Sequence, residues 1–254
     1  MTVTRAHITR RASRDGVPAK TVERDYVLSH AIAAIASTSG PHRAAFKGGT
    51  CLRFLHFAEY RYSADLDFSV LQGTKDEVLL QFAEAFKKAN AGATLRLTDD
   101  SPPRIVFTGP LGKERTIKLD LANDEYVVHT TRFPLLRRWP DLPDVQVLAY
   151  TPLEVCAEKL RCVLQRLQCR DLYDLHTLFE RAQVDPYAAS QLFQAKAAHR
   201  GLDAASFSKK YHQRVEGYKK RWASELQNYV TGEIPHFEAL ERSVARRLRS
   251  VRML

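Results

Sequence analysis

The stretch Lys47-Gly48-Gly49-Thr50-Cys51-Leu52-Arg53, followed by Arg61-Tyr62-Ser63-Ala64-Asp65-Leu66-Asp67-Phe68, decides how this chain reads. Two glycines mark a turn that opens a helix, and two carboxylates then alternate with apolar residues. On a strand, residues i and i+2 share a face, so Asp65 and Asp67 project together while Leu66 and Phe68 enter the core. Carboxylates so close repel unless a cation lies between them. Mg²⁺ suits them, because it takes a few hard oxygen ligands and completes its octahedron with water and phosphate. The helix N-terminus behind Gly48 and Gly49 offers backbone N–H groups and a positive dipole end to the triphosphate that would carry that metal. The pattern is that of a holder of a metal nucleotide.

Around this stretch, 254 residues allow one large domain or two of ordinary size, and 44% apolar content suffices for a packed core. Lys plus Arg number 39 against 29 Asp plus Glu, a formal charge of +10 that favours a polyanionic partner. Cys51, Cys156, Cys162 and Cys169 contain no CxxC pair, which argues against a disulfide framework or a zinc site. Reduced, buried thiols in a cytoplasmic protein are expected instead. Arg5, Arg10, Arg11 and Arg14 are followed by no apolar run, so no secretory signal is read. No stretch approaches 18 uninterrupted apolar residues, so no membrane span is expected.

Helical spacing runs from Val22 to Ser37 and ends at Ser39-Gly40-Pro41, a stop signal. Ala44 to Lys47 reads as a buried strand, Thr50 to Phe57 as a helix, and Asp65 to Leu71 as the carboxylate strand. Glu77 to Asn90 is helical in pattern. Ala93 to Leu97, Arg104 to Thr108, Arg115 to Ala122 and Val145 to Tyr150 read as further strands. Thr151-Pro152-Leu153-Glu154 is a helix start, and everything after it reads helical. The expected architecture is therefore α+β: a mixed-sheet domain over residues 1–150 with an N-terminal helix, then an all-helical domain over 151–254.

Two further constellations carry chemistry. In Ile117-Lys118-Leu119-Asp120-Leu121 an acidic residue again sits between apolar neighbours. If this strand pairs beside Asp65 to Leu71, Asp120 completes a three-carboxylate set; otherwise it is a surface aspartate at a strand end. Glu154 to Arg161 contains Lys159, and Arg170-Asp171-Leu172-Tyr173-Asp174-Leu175 places Asp171 and Asp174 on one helix face. A helical hairpin turning near Leu167 to Cys169 would bring Lys159 beside them. A surface ion-pair cluster would look the same.

Toward the end of the chain Lys209, Lys210, Arg214, Lys219, Lys220 and Arg221 interleave with Tyr211, Tyr218 and Trp222. That is either a set of RNA phosphate contacts with stacking surfaces, or a solvated basic face with its aromatics packed inward. Phe237, Leu240, Val244, Leu248 and Val251 form an apolar helical stripe, read as packing.

The blocks Lys-Gly-Gly-Thr, Arg-Tyr-Ser-Ala-Asp-Leu-Asp-Phe, Ala-Glu-Lys-Leu and Arg-Asp-Leu-Tyr-Asp-Leu, in this order over residues 43 to 180, resemble the AbiEii/AbiGii toxin family. That family is a bacterial branch of the DNA polymerase β-like nucleotidyltransferases. The resemblance implies a nucleotidyltransferase fold followed by a helical domain, and the toxin of a toxin-antitoxin or phage-defence pair. It also implies an NTP, Mg²⁺, a cognate antitoxin and an RNA acceptor, with the transfer RNA 3′ end as the acceptor and translation as the target. By the same resemblance, Lys47, Gly48, Gly49 and Thr50 form the phosphate turn, Asp65 and Asp67 hold metal, and Ser63 contacts the nucleotide. Arg61 is assigned to phosphate, Lys159 and Asp171 match the downstream Lys and Asp, and Asp174 is the close second for that Asp, on the nucleotide-binding side. Either Asp120 or Asp171 would act on the attacking hydroxyl. The gap from Gly49 to Asp65 is longer than in the wider superfamily, with Arg53 to Tyr62 filling it. Two other functions fit the same residues: transfer to a protein or small molecule, and an idle fold that binds RNA or antitoxin without catalysis.

Overall fold

The computed structural model describes residues 2–38, 43–89, 94–98 and 100–254. They pack as two compact units, one of Met1–Asp124, Thr131–Ala149 and Asn228–Gly232, the other of Glu125–Thr130, Tyr150–Gln227 and Glu233–Leu254. The return of Asn228–Gly232 to the first unit is not foreshadowed in the sequence. It is fixed there by the Tyr62 N–H, which donates to the Tyr229 carbonyl over 2.6 Å, and by packing of Tyr229 on the apolar core.

The first unit opens with α1 (Arg5–Asp15) and α2 (Ala19–Ala36), and the short helix α3 (Gly48–Cys51) follows its first strand. Helix α1 has no apolar periodicity to announce it, because its sequence is mostly arginine and small residues. It buries only Ile8, Ala12 and Asp15, and stops at Gly16 in the left-handed conformation, φ +66°. Helix α2 starts three residues earlier than expected, and its proposed stop at Ser39-Gly40-Pro41 lies outside the described residues. Nearly every face of α2 is covered, with Val22, Tyr26, Val27, Leu28, Ala31 and Ile32 fully buried.

Among the described residues seven strands form one mixed sheet: β1 (Arg43–Lys47), β2 (Leu66–Gln72), β3 (Thr94–Leu97), β4 (Arg104–Thr108), β5 (Glu114–Ala122), β6 (Thr130–Pro134) and β7 (Gln146–Tyr150). Their spatial order is β3-β4-β5-β2-β1-β7-β6. The central strand β2 pairs antiparallel with β1 and parallel with β5. Edge strand β6 was not expected, because Thr130, Thr131 and Arg132 are polar and largely exposed. Residues Ala93 and Asn90, placed at element ends by pattern, lie outside the described residues. Helix α4 (Lys75–Lys88) begins with a capping box, Thr74 and Glu77 bonding reciprocally, where the pattern alone would start it two residues later.

Alternation places Phe46 of β1, Leu66 and Phe68 of β2, and Ile117, Leu119 and Leu121 of β5 in one apolar core, all at most 5% exposed. The opposite face of the same strands therefore carries Lys47, Asp67, Lys118 and Asp120.

The second unit holds α5 (Pro152–Gln165), α6 (Cys169–Glu180), α7 (Pro186–His199), α8 (Phe207–Leu226) and α9 (Phe237–Arg249). Helix α5 starts as the sequence indicates, with Thr151 capping the Glu154 N–H and Pro152 in the first turn. The apolar stripe of α9 is core: Phe237, Leu240, Val244 and Leu248 are buried. All four cysteines are free thiols. Burial pushes Cys162 and Cys169 up to about 12, which makes them unreactive at neutral pH.

Candidate active site

The glycine turn and the carboxylate strand are built around one close approach. Lys47 ends β1 opposite Asp67 of β2, and the chain enters α3 at Gly48, whose φ is +78°. A Cβ at Gly48 would lie 2.6 Å from Asp67 Oδ2. Only glycine fits this position, on grounds of both backbone and space. Gly49 and Thr50 are buried behind it, and the helical path continues as one π turn, Leu52–His56.

Thr50 ties the turn to the carboxylates. Its Oγ1 donates to the Asp65 carbonyl at 2.5 Å and lies 2.7 Å from Ser63 Oγ. Strand β2 begins at Leu66, so Asp65 stands at its entry and Ser63 lies outside it. Ser63 is 5% exposed and faces Thr50, a strut under the turn. Asp65 and Asp67 are both half-buried. Arg61, assigned to phosphate by the resemblance, is 2% exposed and donates to the Tyr62 carbonyl at 3.1 Å.

In parallel register Asp120 of β5 stands directly beside Asp67. The juxtaposition required for a third carboxylate is present, but its side chain is 54% exposed and turned toward Lys118 Nζ, 3.7 Å away. Among the described residues no group of three or more His, Cys, Asp or Glu is gathered to hold a metal ion. Of the two readings of Asp120, the side chain takes that of a surface aspartate, facing Lys118, and the three-carboxylate set is not gathered among the described residues. What remains is Asp67 beside a turn kept open by the missing Cβ of Gly48, with Asp65 two residues before it. This hard oxygen set fits a divalent cation that keeps water and phosphate among its ligands.

The long gap between turn and carboxylates has its own internal support, which motif reading missed. Arg53 is 2% exposed, pairs with buried Asp25 of α2, donates to the Tyr60 carbonyl, and lies 3.8 Å over the Tyr62 ring. Tyr62 in turn donates to Asp15 at 2.6 Å. A second pair joins buried Glu23 of α2 to partly exposed Arg115 of β5. The available signal was a glutamate and an aspartate two apart, Glu23 and Asp25, flanked by Val22 and the apolar run from Tyr26 to Leu28.

In the second unit, α5 and α6 form the expected hairpin. Lys159 Nζ lies 2.8 Å from Asp171 Oδ1 and 2.7 Å from Asp174 Oδ2, with Lys159 6% exposed and both aspartates at most 1%. Arg166 Nε reaches the second oxygen of Asp171 at 2.9 Å. Burial pushes the Asp171 carboxyl up, but Lys159 and Arg166 together outweigh it and hold it below the usual carboxylate range. This is a buried ion cluster, not an exposed one.

Helix α8 decides between its two readings. Tyr211 and Tyr218 are 1% exposed and Trp222 5%, and they donate to Glu241, to the Arg166 carbonyl and to the Pro235 carbonyl. The aromatics are packing residues, so no stacking surface exists there. Lys209, Lys219, Lys220 and Arg221 are exposed and Lys210 half-exposed; Lys219 pairs with Glu238 at 2.9 Å.

Compared with known protein families, residues 31–246 match the nucleotidyl transferase AbiEii toxin of type IV toxin-antitoxin systems. The chain belongs to this family. AbiEii membership makes it a nucleotidyltransferase toxin and implies an antitoxin partner and an NTP substrate. Among solved structures it is similar to MenT4, a nucleotidyltransferase toxin of Mycobacterium tuberculosis H37Rv. That match has a TM-score of 0.71 at 20% identity, over 99% of this chain and 89% of the other. At that identity the likeness speaks for the fold. An antigenic nucleotidyltransferase-like protein from Paracoccidioides brasiliensis aligns with a TM-score of 0.45 at 16% identity, over 73% of this chain and 92% of the other. No curated protein matches the chain. Among the described residues no helix is long and apolar enough to cross a membrane.

Proposed function

We propose that this AbiEii toxin transfers a nucleoside monophosphate from an NTP to the 3′ hydroxyl of an RNA, the transfer RNA 3′ end in particular, and so blocks translation. The observation that carries the reading is the seating of Gly48 against Asp67. A turn of this kind, with its backbone pressed to a carboxylate, suits a triphosphate and its counter-cation arriving together. Mg²⁺ held by Asp65 and Asp67 would supply charge neutralisation for the α-phosphate and the leaving pyrophosphate.

The chain's own residues divide the remaining work. Gly48, Gly49 and Thr50 cradle phosphate oxygens, and Thr50 with Ser63 keeps Asp65 in place. Lys159, held by Asp171 and Asp174 in the second unit, keeps the cationic role that the family resemblance assigns to it. Both oxygens of Asp171 already accept from cations, which makes it a weak proton acceptor. The more open Asp120 is therefore favoured as the group that orients the attacking hydroxyl. Lys209, Lys220 and Arg221 on α8 serve as phosphate contacts only.

The test is incubation with each α-labelled NTP, Mg²⁺ and total RNA. Label is expected in RNA of transfer RNA size, and periodate oxidation of the terminal diol beforehand should abolish it. Label in protein or in a small molecule, or undiminished uptake by oxidised RNA, contradicts the reading.

A further inference from the structure

The first unit carries a second basic feature, remote in sequence from the glycine turn. His7, Arg10, Arg11 and Arg14 follow the i, i+3, i+4, i+7 spacing of one helix face. Together with Val3 and Trp139 they line a cavity of about 240 Å³. That is smaller than the ~300–1,000 Å³ typical of whole-ligand sites, and suits one unit of a longer chain.

The walls are chemically specific. Arg11 lies with its guanidinium carbon 4.5 Å from the Trp139 ring centroid and donates to the Arg138 carbonyl at 3.1 Å. Trp139 itself is 4% exposed and packs edge-on against Tyr26. Among the described residues, Trp139 Nε1 is a buried donor with no hydrogen-bond partner. Such a donor is costly to leave unmatched. Asp15 is the carboxylate paired with this face, taking Arg14 Nε at 2.7 Å and lying 3.5 Å from Arg11 Nε. Three guanidinium groups against one carboxylate leave the cluster positive. Since His7 Nδ1 accepts the Thr4 N–H at 3.1 Å, the neutral ring keeps its proton on Nε2, a further donor. An apolar floor with a planar cation laid over it, rimmed by guanidinium groups, accepts a flat ring joined to a phosphate.

We propose that the Arg10, Arg11 and Arg14 face of α1, with Trp139, docks one nucleotide of single-stranded RNA, its phosphate against Arg10 and Arg14 and its base against Arg11. The net charge of +10 favours a polyanionic chain over a single small anion. The site deepens the RNA-acceptor reading and rests on it.

The test compares the full-length protein with its Arg10→Gln/Arg14→Gln double variant, both side chains being exposed and thermal melts checking the fold. Binding of an unstructured oligouridine octamer is measured across salt, beside an octamer of glutamate and beside NTP. We expect RNA affinity to fall about tenfold and the slope of log K against log salt to flatten by about 0.7, the value for the one single-strand phosphate that the variant leaves unneutralised. NTP affinity should not change. A 5-bromouracil octamer should crosslink to the peptides carrying Arg11 or Trp139. Unchanged RNA affinity and slope in the variant would overturn the site while leaving an RNA acceptor in place. Binding of the acidic peptide that depends on Arg10 and Arg14, without such dependence for RNA, would overturn it in favour of a protein partner. No binding of RNA by the wild type overturns the acceptor reading, and the site with it.

Discussion

Gly48→Ala is the sharpest perturbation of the turn. The added Cβ would stand 2.6 Å from Asp67 Oδ2, about 0.8 Å inside the 3.4 Å at which ordinary contact begins, with Asp67 Cγ and Cβ at 3.4 and 3.5 Å behind it. The carboxylate must move, because the other atom is backbone. A non-glycine residue at φ +78° also costs roughly 1–2 kcal/mol of backbone strain. For a chain of this length that strain lowers the melting temperature by about 2–8 °C. Displacing a reacting group by ~1 Å costs on the order of 10²-fold in rate. Gly112→Ala is the control, since φ is +73° there and nothing lies within 4 Å of the new Cβ. It should lose comparable stability and keep full transfer. Transfer of α-labelled nucleotide, measured with a thermal melt for both variants, separates the two effects. Gly48→Ala activity within twofold of the Gly112→Ala control would refute the claim that Gly48 makes room for Asp67.

Ser63→Glu should unfold or strongly destabilise the protein, by on the order of 3 kcal/mol, because it drives a charge into a buried strut beside Thr50. Ser63→Ala should cost about 1 kcal/mol; a stable Ser63→Glu protein in urea denaturation would place this side chain at the surface. Lys159→Met should cost about 3–5 kcal/mol by removing the cation shared by two buried carboxylates, and adding Asp174→Asn should recover part of it. Equal denaturation midpoints for wild type and Lys159→Met would contradict the buried cluster. Asp171 titrates below the ordinary value of 3.8 in the folded protein, so its ionised form contributes stability above that pH. The contribution is lost as pH falls through the lower folded value. The gap in stability between wild type and Asp171→Asn should therefore be constant near neutrality and close only below about pH 4; a gap that closes nearer pH 6 would contradict the assignment.

What could be read from the sequence was what local periodicity encodes. The alternation around Asp67 and Asp120 places both on one sheet face, and the Thr151-Pro152 start of α5 gives its cap directly. The three-residue spacing of Asp171 and Asp174 gives their shared helix face, while the hairpin that brings Lys159 to them was one of two readings the sequence left open. Long-range pairing was not legible. Asp25 meets Arg53 across 28 positions and Glu23 meets Arg115 across 92, and no periodic pattern announces such partners. Helix α1 stayed hidden because it buries only two apolar residues, Ile8 and Ala12, among four arginines, and β6 because an edge strand needs no apolar alternation. The aromatics of α8 show the converse, since interleaving with lysines is equally compatible with packing and with stacking, and only burial tells them apart. The same limit applies to Asp120: register puts it beside Asp67, while its side chain answers to Lys118.

The central claim is that Asp65 and Asp67 carry nucleotidyl transfer from an NTP to RNA. It is tested most directly by label uptake from each α-labelled NTP into total RNA, in Mg²⁺ and again in EDTA, for wild type, Asp65→Asn and Asp67→Asn. Uptake from at least one NTP is expected for the wild type in Mg²⁺ alone, reduced at least 10²-fold in both variants while their melting temperatures stay within a few degrees of wild type. Wild-type uptake by Asp67→Asn, or no uptake by the wild type with any of the four NTPs, would contradict it.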